Sequence, residues 1–228
     1  MPPLAMTAPQ KDTDLSPRTD AIAVTSWQWP ARDARFVWRS VELLQLHGLL
    51  DLHRRVLIRG PSGIGKRSLV CEYGHRFATQ RVGRGMTLRW ATSRELFERP
   101  PAAWEVGLLA IVDPPSNARE ENLAPALSRL LRAAPGRRVI AIGDSPSVRT
   151  LATELHFAEL PLCGLPVEPG LSLLIAASGR HRVPRDEQVA AADLVLALQG
   201  SPARLLELAA RAVAQDLPWT ECLRRNLL

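Results

Sequence analysis

Residues 54–70 read Arg-Arg-Val-Leu-Ile-Arg-Gly-Pro-Ser-Gly-Ile-Gly-Lys-Arg-Ser-Leu-Val. A short apolar run turns into a glycine-rich loop, a lysine and an apolar helix start. Gly60 to Lys66 satisfies the pattern G-x-x-x-x-G-K. Its glycines let successive backbone N–H groups face inward around a polyphosphate, and the positive end of the following helix adds to the attraction. A strand before the loop and a helix after it are the context this chemistry needs. The candidate nucleotide-binding residues here are Gly60, Pro61, Ser62, Gly63, Ile64, Gly65 and Lys66, with Arg67 and Ser68 opening the helix. The implied ligand class is a nucleoside triphosphate.

Composition sharpens that reading. Basic residues outnumber acidic ones, with a formal net charge of +6 and a pI near 10.2. Almost all of them are arginine; lysine occurs only at Lys11 and Lys66. One of two lysines therefore stands where a phosphate loop needs a compact, rotatable ammonium. The same basicity fits nucleic acid as a partner, with Arg180, Arg182 and Arg185 as its densest cluster. No apolar run reaches the roughly 18 residues that would span a bilayer. Residues 1–24 lack an apolar stretch of the signal-peptide kind and read as a disordered leader. Cys71, Cys163 and Cys222 fit neither a zinc spacing nor a disulfide framework, so reduced thiols in a cytoplasmic protein are expected.

Along the chain, Val41, Leu43, Leu44, Leu46, Leu49 and Leu50 approximate a helical face. Strands are expected at 56–59, 86–91, 107–113, 138–143 and 157–160, with helices at 68–77, 94–98, from Ser116 or Asn117 to 134, and 148–155. Continuous apolar runs such as Gly107–Asp113 mark strands buried on both faces of a parallel sheet. From Pro166 the strand signals stop, and helices follow at 168–178, 186–199, 202–215 and 218–227. The chain thus divides into a leader (1–24), an α/β part (25–163) and a helical part (164–228).

Further polar residues join the loop. Asp113 ends a buried strand and suits a water-mediated Mg²⁺ contact; otherwise it is a strand-end cap. Asp144 and Ser145 end the next strand, where a polar group would sense the γ-phosphate or cap a helix. Gly200-Ser201-Pro202-Ala203-Arg204 opens a helix from which an arginine reaches back to phosphates, or is simply a turn and N-cap.

Val37 and Arg39, then the phosphate loop, the strand ending in Asp113, the polar-ended strand and Gly200-Ser201-Pro202-Ala203-Arg204 together resemble the AAA+ superclass of P-loop NTPases, especially its STAND branch of signalling ATPases. The resemblance covers about 35–215. It implies an α/β fold with a parallel sheet in the order 5-1-4-3-2 and a C-terminal helical lid. It implies ATP or ADP bound between lid and sheet, with Val37 and Pro202 at the base and Arg204 at the phosphates. Two departures bear on chemistry. Arg67 replaces the Ser or Thr whose hydroxyl would ligate Mg²⁺, and a guanidinium offers no lone pair. Ser68 is turned about 100° around the helix, and Arg67 points either at the phosphates or outward. Asp113 is followed by Pro114 and Pro115 rather than a second acid. Loss of one such element typically costs about 10²-fold or more in rate. A nucleotide-dependent switch or assembly subunit with weak or absent hydrolysis is therefore expected, with doubtful Mg²⁺ and a protein partner or homo-oligomer. The alternatives are a DNA-associated regulator of the replication or transposition type, and an interaction module with a vestigial site. For the last, Trp27 and Trp29 are candidate partner anchors, with core packing the commoner fate of tryptophan.

Overall fold

Strand-forming runs and helix-forming runs alternate through the first part of the chain, and they assemble accordingly. A computed structural model describes residues 29–37, 39–78, 88–92, 107–112, 123–133, 136–143 and 153–225. The leader at 1–24, the expected helix at 94–98, the N-terminal cap at Ser116 or Asn117, Trp27, Asp113, Asp144 and Ser145 lie outside the described residues.

The elements are α1 (Ser40–His53), β1 (Arg55–Arg59), α2 (Lys66–Tyr73), β2 (Leu88–Thr92), β3 (Leu108–Val112), α3 (Leu123–Ala133), β4 (Arg138–Ile142) and β5 (Ala158–Pro161). Helices α4 (Val167–Ser178), α5 (Gln188–Ala197), α6 (Pro202–Ala214) and α7 (Trp219–Arg224) follow. The five strands form one sheet in the order β2-β3-β4-β1-β5. Every pairing is parallel, with Val56 opposite Ile140 and Ala158. This is the expected order, traced from the other edge.

Period-two alternation divides β1 between two cores. Val56 and Ile58 join Ile140, Ile142 and Leu160 under α1 and α2, while Leu57 joins Val139, Ala141 and Phe157 against Leu127, Leu130 and Leu131 of α3. A third cluster runs from Leu165 to Cys222 through α4 to α7, centred on the fully buried Trp219.

Two expectations are corrected. The buried stripe of α1 is Leu43, Leu46 and Leu50; Val41 and Leu44 are 65% and 62% exposed. Only one side of α1 meets the sheet, and Leu44 is rotated about 100° from Leu43. Trp29 packs within the fold, the commoner of the two fates open to it. Its Nε1 donates to the Cys71 carbonyl at 3.1 Å, and its ring meets Trp90 edge-on at 5.3 Å. It also lies against Gly74, where a Cβ would overlap the indole. There α2 gives way to a π-helical turn, Gly74–Ala78, in place of the straight helix expected to Phe77. A tryptophan donor taking a helix carbonyl is a recognised way to loosen the ladder.

The segment 29–37 is thereby strapped across α2. The Cys71 thiol donates to the Ala31 carbonyl at 3.1 Å, and Arg32 forms a two-pronged pair with Glu72 at 2.6 and 2.8 Å. Arg76 pairs with the same carboxylate. Burial pushes the Glu72 carboxyl up, but hydrogen bonds from Arg32 and Arg76 outweigh it and hold the group below the usual carboxylate range. The strap ends in Phe36 and Val37, at the site described next.

Candidate functional site

The loop Gly60–Gly65 joins β1 to α2 at the carboxyl end of the sheet, where ligands of open α/β sheets bind. Its sequence explains its shape. Gly63 and Gly65 have φ of +77° and +96°, a region that L side chains rarely occupy. Ile64 turns inward and is 4% exposed, so one apolar side chain anchors an otherwise polar loop to the core. Lys66 lies back over the loop, donating to the carbonyls of Gly60 and of Pro61, the latter at 3.0 Å. Pro61, Ser62 and Arg67 are exposed; Ser68 is half-buried.

The helical part reaches this loop directly. Ala203 N–H donates to the Gly63 carbonyl at 3.2 Å, and the Ser201 hydroxyl does so at 3.5 Å. A Cβ on Gly63 would stand 2.8 Å from the Ala203 Cβ, so only glycine admits α6 this closely. Two helix N-termini, those of α2 and α6, therefore converge on one glycine loop. The α2 terminus contributes partial positive charge from its unpaired N–H groups, while α6 spends the Ala203 N–H on the Gly63 carbonyl and has none at Pro202.

Beside the loop is a small, open cavity of roughly 60 Å³. Phe36 and Val37 of the strap form one wall, and Leu173, Pro202 and Leu206 of α4 and α6 another. Gly65 and Ser68 form the floor. Asp33, Arg35 and Arg39 also line it, so the slot is apolar on two walls and charged at its rim. Apolar walls above a glycine loop have the chemistry for a base over phosphates, and a base would need the walls to part to enter. For Mg²⁺ the fit is poorer, because Arg67 supplies no ligating oxygen and Ser68 lies at the cavity floor.

Arg39 is the residue that the sequence brought to notice only as part of a motif. Its side chain is 3% exposed. It donates to Ile64 O at 2.8 Å, to Cys163 O at 3.1 Å and to Glu42 at 2.9 Å. Burial lowers its pKa, and Glu42 works against that shift. One guanidinium thereby joins α1, the phosphate loop and the link from β5 to α4. Leu173 and Leu206 also reach the site unforeseen, since an apolar wall carries no sequence signature of its own.

Of the candidate residues, the structure brings Gly60 to Lys66, Ser68, Val37 and Pro202 together. Arg67 is exposed and does not line the cavity, and Arg204 is exposed in the first turn of α6. Asp113, Asp144 and Ser145 follow in sequence from β3 and β4, outside the described residues. Among the described residues no cluster of metal-ligating side chains occurs.

No protein-family model matches the chain, and no curated protein matches it by sequence. Solved structures do match. A Walker-type ATPase of Pyrococcus abyssi superposes with a TM-score of 0.56 at 14% identity, over 87% of this chain and 73% of that one. AMPPCP-bound DnaA of Aquifex aeolicus gives 0.55 at 13% identity, over 84% and 66%. The Drosophila origin recognition complex bound to DNA gives 0.53 at 14% identity, over 98% and 70%. With the parallel sheet in this order and the glycine loop after β1, these likenesses decide the architecture. The fold is that of the AAA+ P-loop NTPases. No described helix is long and apolar enough to cross a membrane.

Proposed function

We propose that this AAA+-fold chain binds ATP or ADP and works as a nucleotide-dependent switch or assembly subunit, with slow hydrolysis or none. The observation that carries this is the contact of Ser201 and Ala203 with Gly63. It seats the lid helix on the loop that would hold the phosphates, so a ligand there must act on both. In this reading 25–163 is the nucleotide-binding part and 164–228 the lid. Val37 and Pro202 flank the base, the loop N–H groups and Lys66 hold the phosphates, and Arg204 swings in from the lid. Asp113 would hold any Mg²⁺ through water, with Asp144 or Ser145 sensing the terminal phosphate. The STAND-like assignment rests on Val37, Arg39 and Pro202.

Lid contact gives the switch a physical basis. Phosphates in the cradle compete with the Gly60 and Pro61 carbonyls for Lys66, and they recruit the N–H groups of α2. A ligand shifts an equilibrium only by its differential affinity for the two states. ATP and ADP differ at the terminal phosphate, so only contacts made to that group distinguish the two states. Calorimetry with ATP and ADP, with and without EDTA, tests the reading. Micromolar binding that survives EDTA is expected. Absence of binding to either nucleotide overturns the reading, and brisk Mg²⁺-dependent turnover overturns slow hydrolysis.

A second reading, a DNA-associated regulator, is favoured by the +6 charge and by the likeness to DnaA and to an origin recognition complex bound to DNA. The segment from Arg180 to Arg185 supports it less than expected. Arg180 lies 4.8 Å over the Trp219 ring and donates to Leu217 O at 2.8 Å, so it is committed to lid packing. Arg182 and Arg185 remain exposed.

A further inference from the structure

The opposite end of the sheet carries a concentration of charge that the nucleotide site does not use. At the starts of β1 and β4 stand Arg54, Arg55, Arg137 and Arg138, brought side by side by the parallel register Arg55 to Val139. Arg132, exposed in the last turn of α3, ends at the same edge. Against these five arginines the described residues set two carboxylates, Asp51 and Glu154. Asp51 is paired with Arg138.

Three features make this more than a solvated rim. Arg137 is 5% exposed, its Nη1 is buried without a hydrogen-bond partner, and burial lowers its pKa with no acid opposing the shift. Placing a guanidinium in such a site is costly unless an anion compensates it. Arg54 caps α1 at φ +62°, and His156 beside it has φ +53°. Glycine is the residue that such positions favour, so a cation is kept at some backbone cost. Arg54 and Arg55 are also held in place, by Gly136 O at 3.3 Å and Leu155 O at 2.8 Å. Each guanidinium is thereby oriented while keeping other N–H donors for an incoming ligand.

We infer that this amino-terminal edge of the sheet is a docking surface for the phosphate backbone of duplex DNA. The exposed forks of Arg54 and Arg132 would take the phosphates, with half-buried Arg55 and Arg138 beside them and buried Arg137 adding charge from behind without contact; an extended polyanion uses all of these where a single small anion would not. The inference deepens the DNA-associated reading by naming the surface, and it is independent of nucleotide binding because the phosphate loop is at the other end of the strands. No base-reading element accompanies the row among the described residues, so binding is expected to be sequence-independent and strongly salt-dependent.

The test uses the full chain and a mixed-sequence DNA duplex, titrated at several salt concentrations. Two variants complement the wild type. Arg54→Ala with Arg132→Ala removes two exposed cations; the salt slope should fall by about two and affinity by about 10-fold or more at low salt. Arg137→Met should raise the melting temperature by about 4 °C or more while weakening DNA binding, a combination that a purely structural arginine would not give. Lys66→Ala should leave DNA binding intact. Wild-type binding that the edge variants do not change overturns the surface and leaves the DNA-associated reading standing. No wild-type binding overturns both. Equal or tighter capture by anionic phospholipid vesicles also overturns the choice of DNA.

Discussion

The two ends of the sheet are both built to face anions, and they do so by different means. At the carboxyl end the charge comes mostly from backbone: N–H groups of a glycine loop, the α2 N-terminus and one lysine. At the amino end it comes from side chains, five arginines on short elements. Backbone donors are fixed by the fold, so they can be specific for one shape and need no counter-ion when empty. Guanidinium groups are adaptable, and they repel one another until something fills the space between them. The contrast predicts different sensitivities. The carboxyl end should break when geometry changes without charge; the amino end should change its binding with charge and lose little stability.

The largest effect is expected from Gly63→Val, which alters no charge. It forces a β-branched residue into φ +77° and drives side-chain atoms into Ala203. Backbone strain and overpacking together should cost about 4 kcal/mol. Denaturant unfolding should show that loss, and nucleotide binding should vanish in the same variant. Unchanged stability of the Gly63→Val variant would show that the lid does not sit on the loop.

Lys66→Ala removes the lysine of the same loop. The chain should fold, because its described partners are the loop's own carbonyls. A charge-assisted hydrogen bond is worth about 1.5–3 kcal/mol, so ATP affinity should fall about 100-fold. Comparison with Gly63→Val separates the charge of the cradle from its shape.

How far the sequence already disclosed these two ends differs for the same reason. The glycine loop was legible residue by residue, since φ > 0 and close backbone approach demand glycine at fixed spacing. Apolar runs that alternate with helices gave the strands and a parallel sheet; their order came from the family resemblance and agrees with the sheet. Val37 and Pro202 were found through resemblance, and Pro202 does meet Val37 across the cavity. Arg39 was seen without its role, because nothing in Val-Trp-Arg says that its guanidinium will bridge Ile64 and Cys163, far apart in the chain. The arginine edge was invisible: Arg54 and Arg137 are remote in sequence, and only parallel pairing of β1 and β4 makes them neighbours. Trp29 stood open between packing and partner anchoring, because strap residues and anchors share one composition, and it packs. The outward face of Val41 and Leu44 was misread because leucine-rich helices do not reveal which stripe is buried.

Between the two ends, Glu72 fixes the strap that carries Phe36 and Val37. Glu72→Gln should cost about 1 kcal/mol, since it replaces a buried carboxylate by an amide but leaves both half-exposed arginines able to turn to water. The pH dependence has a definite sign. The folded-state value lies below the unfolded one, so this carboxylate's contribution is fully present above the ordinary glutamate range near 4.3 and is lost as pH falls through the lowered folded value. Acid titration of wild type and Glu72→Gln should therefore converge at low pH. Parallel curves down to the acid limit would remove Glu72 from the strap's energetics.

The smallest effect, and the most telling about the amino end, is Arg54→Gly. The α1 cap at φ +62° favours glycine, and Arg54 O and N–H already pair with Val139 and Leu50 through backbone alone. Removing the side chain relieves backbone strain and loses a hydrogen bond of 3.3 Å at an exposed position. The first effect is about 1 kcal/mol in favour of the variant, and the second about half that against it. A net gain of about 0.5 kcal/mol should appear in urea unfolding, with DNA affinity reduced. A residue that weakens its own fold and strengthens binding would be retained for the binding; a destabilised Arg54→Gly chain would show instead that the arginine serves the turn. That outcome would leave the two ends of the sheet alike, each held by geometry first and charge second.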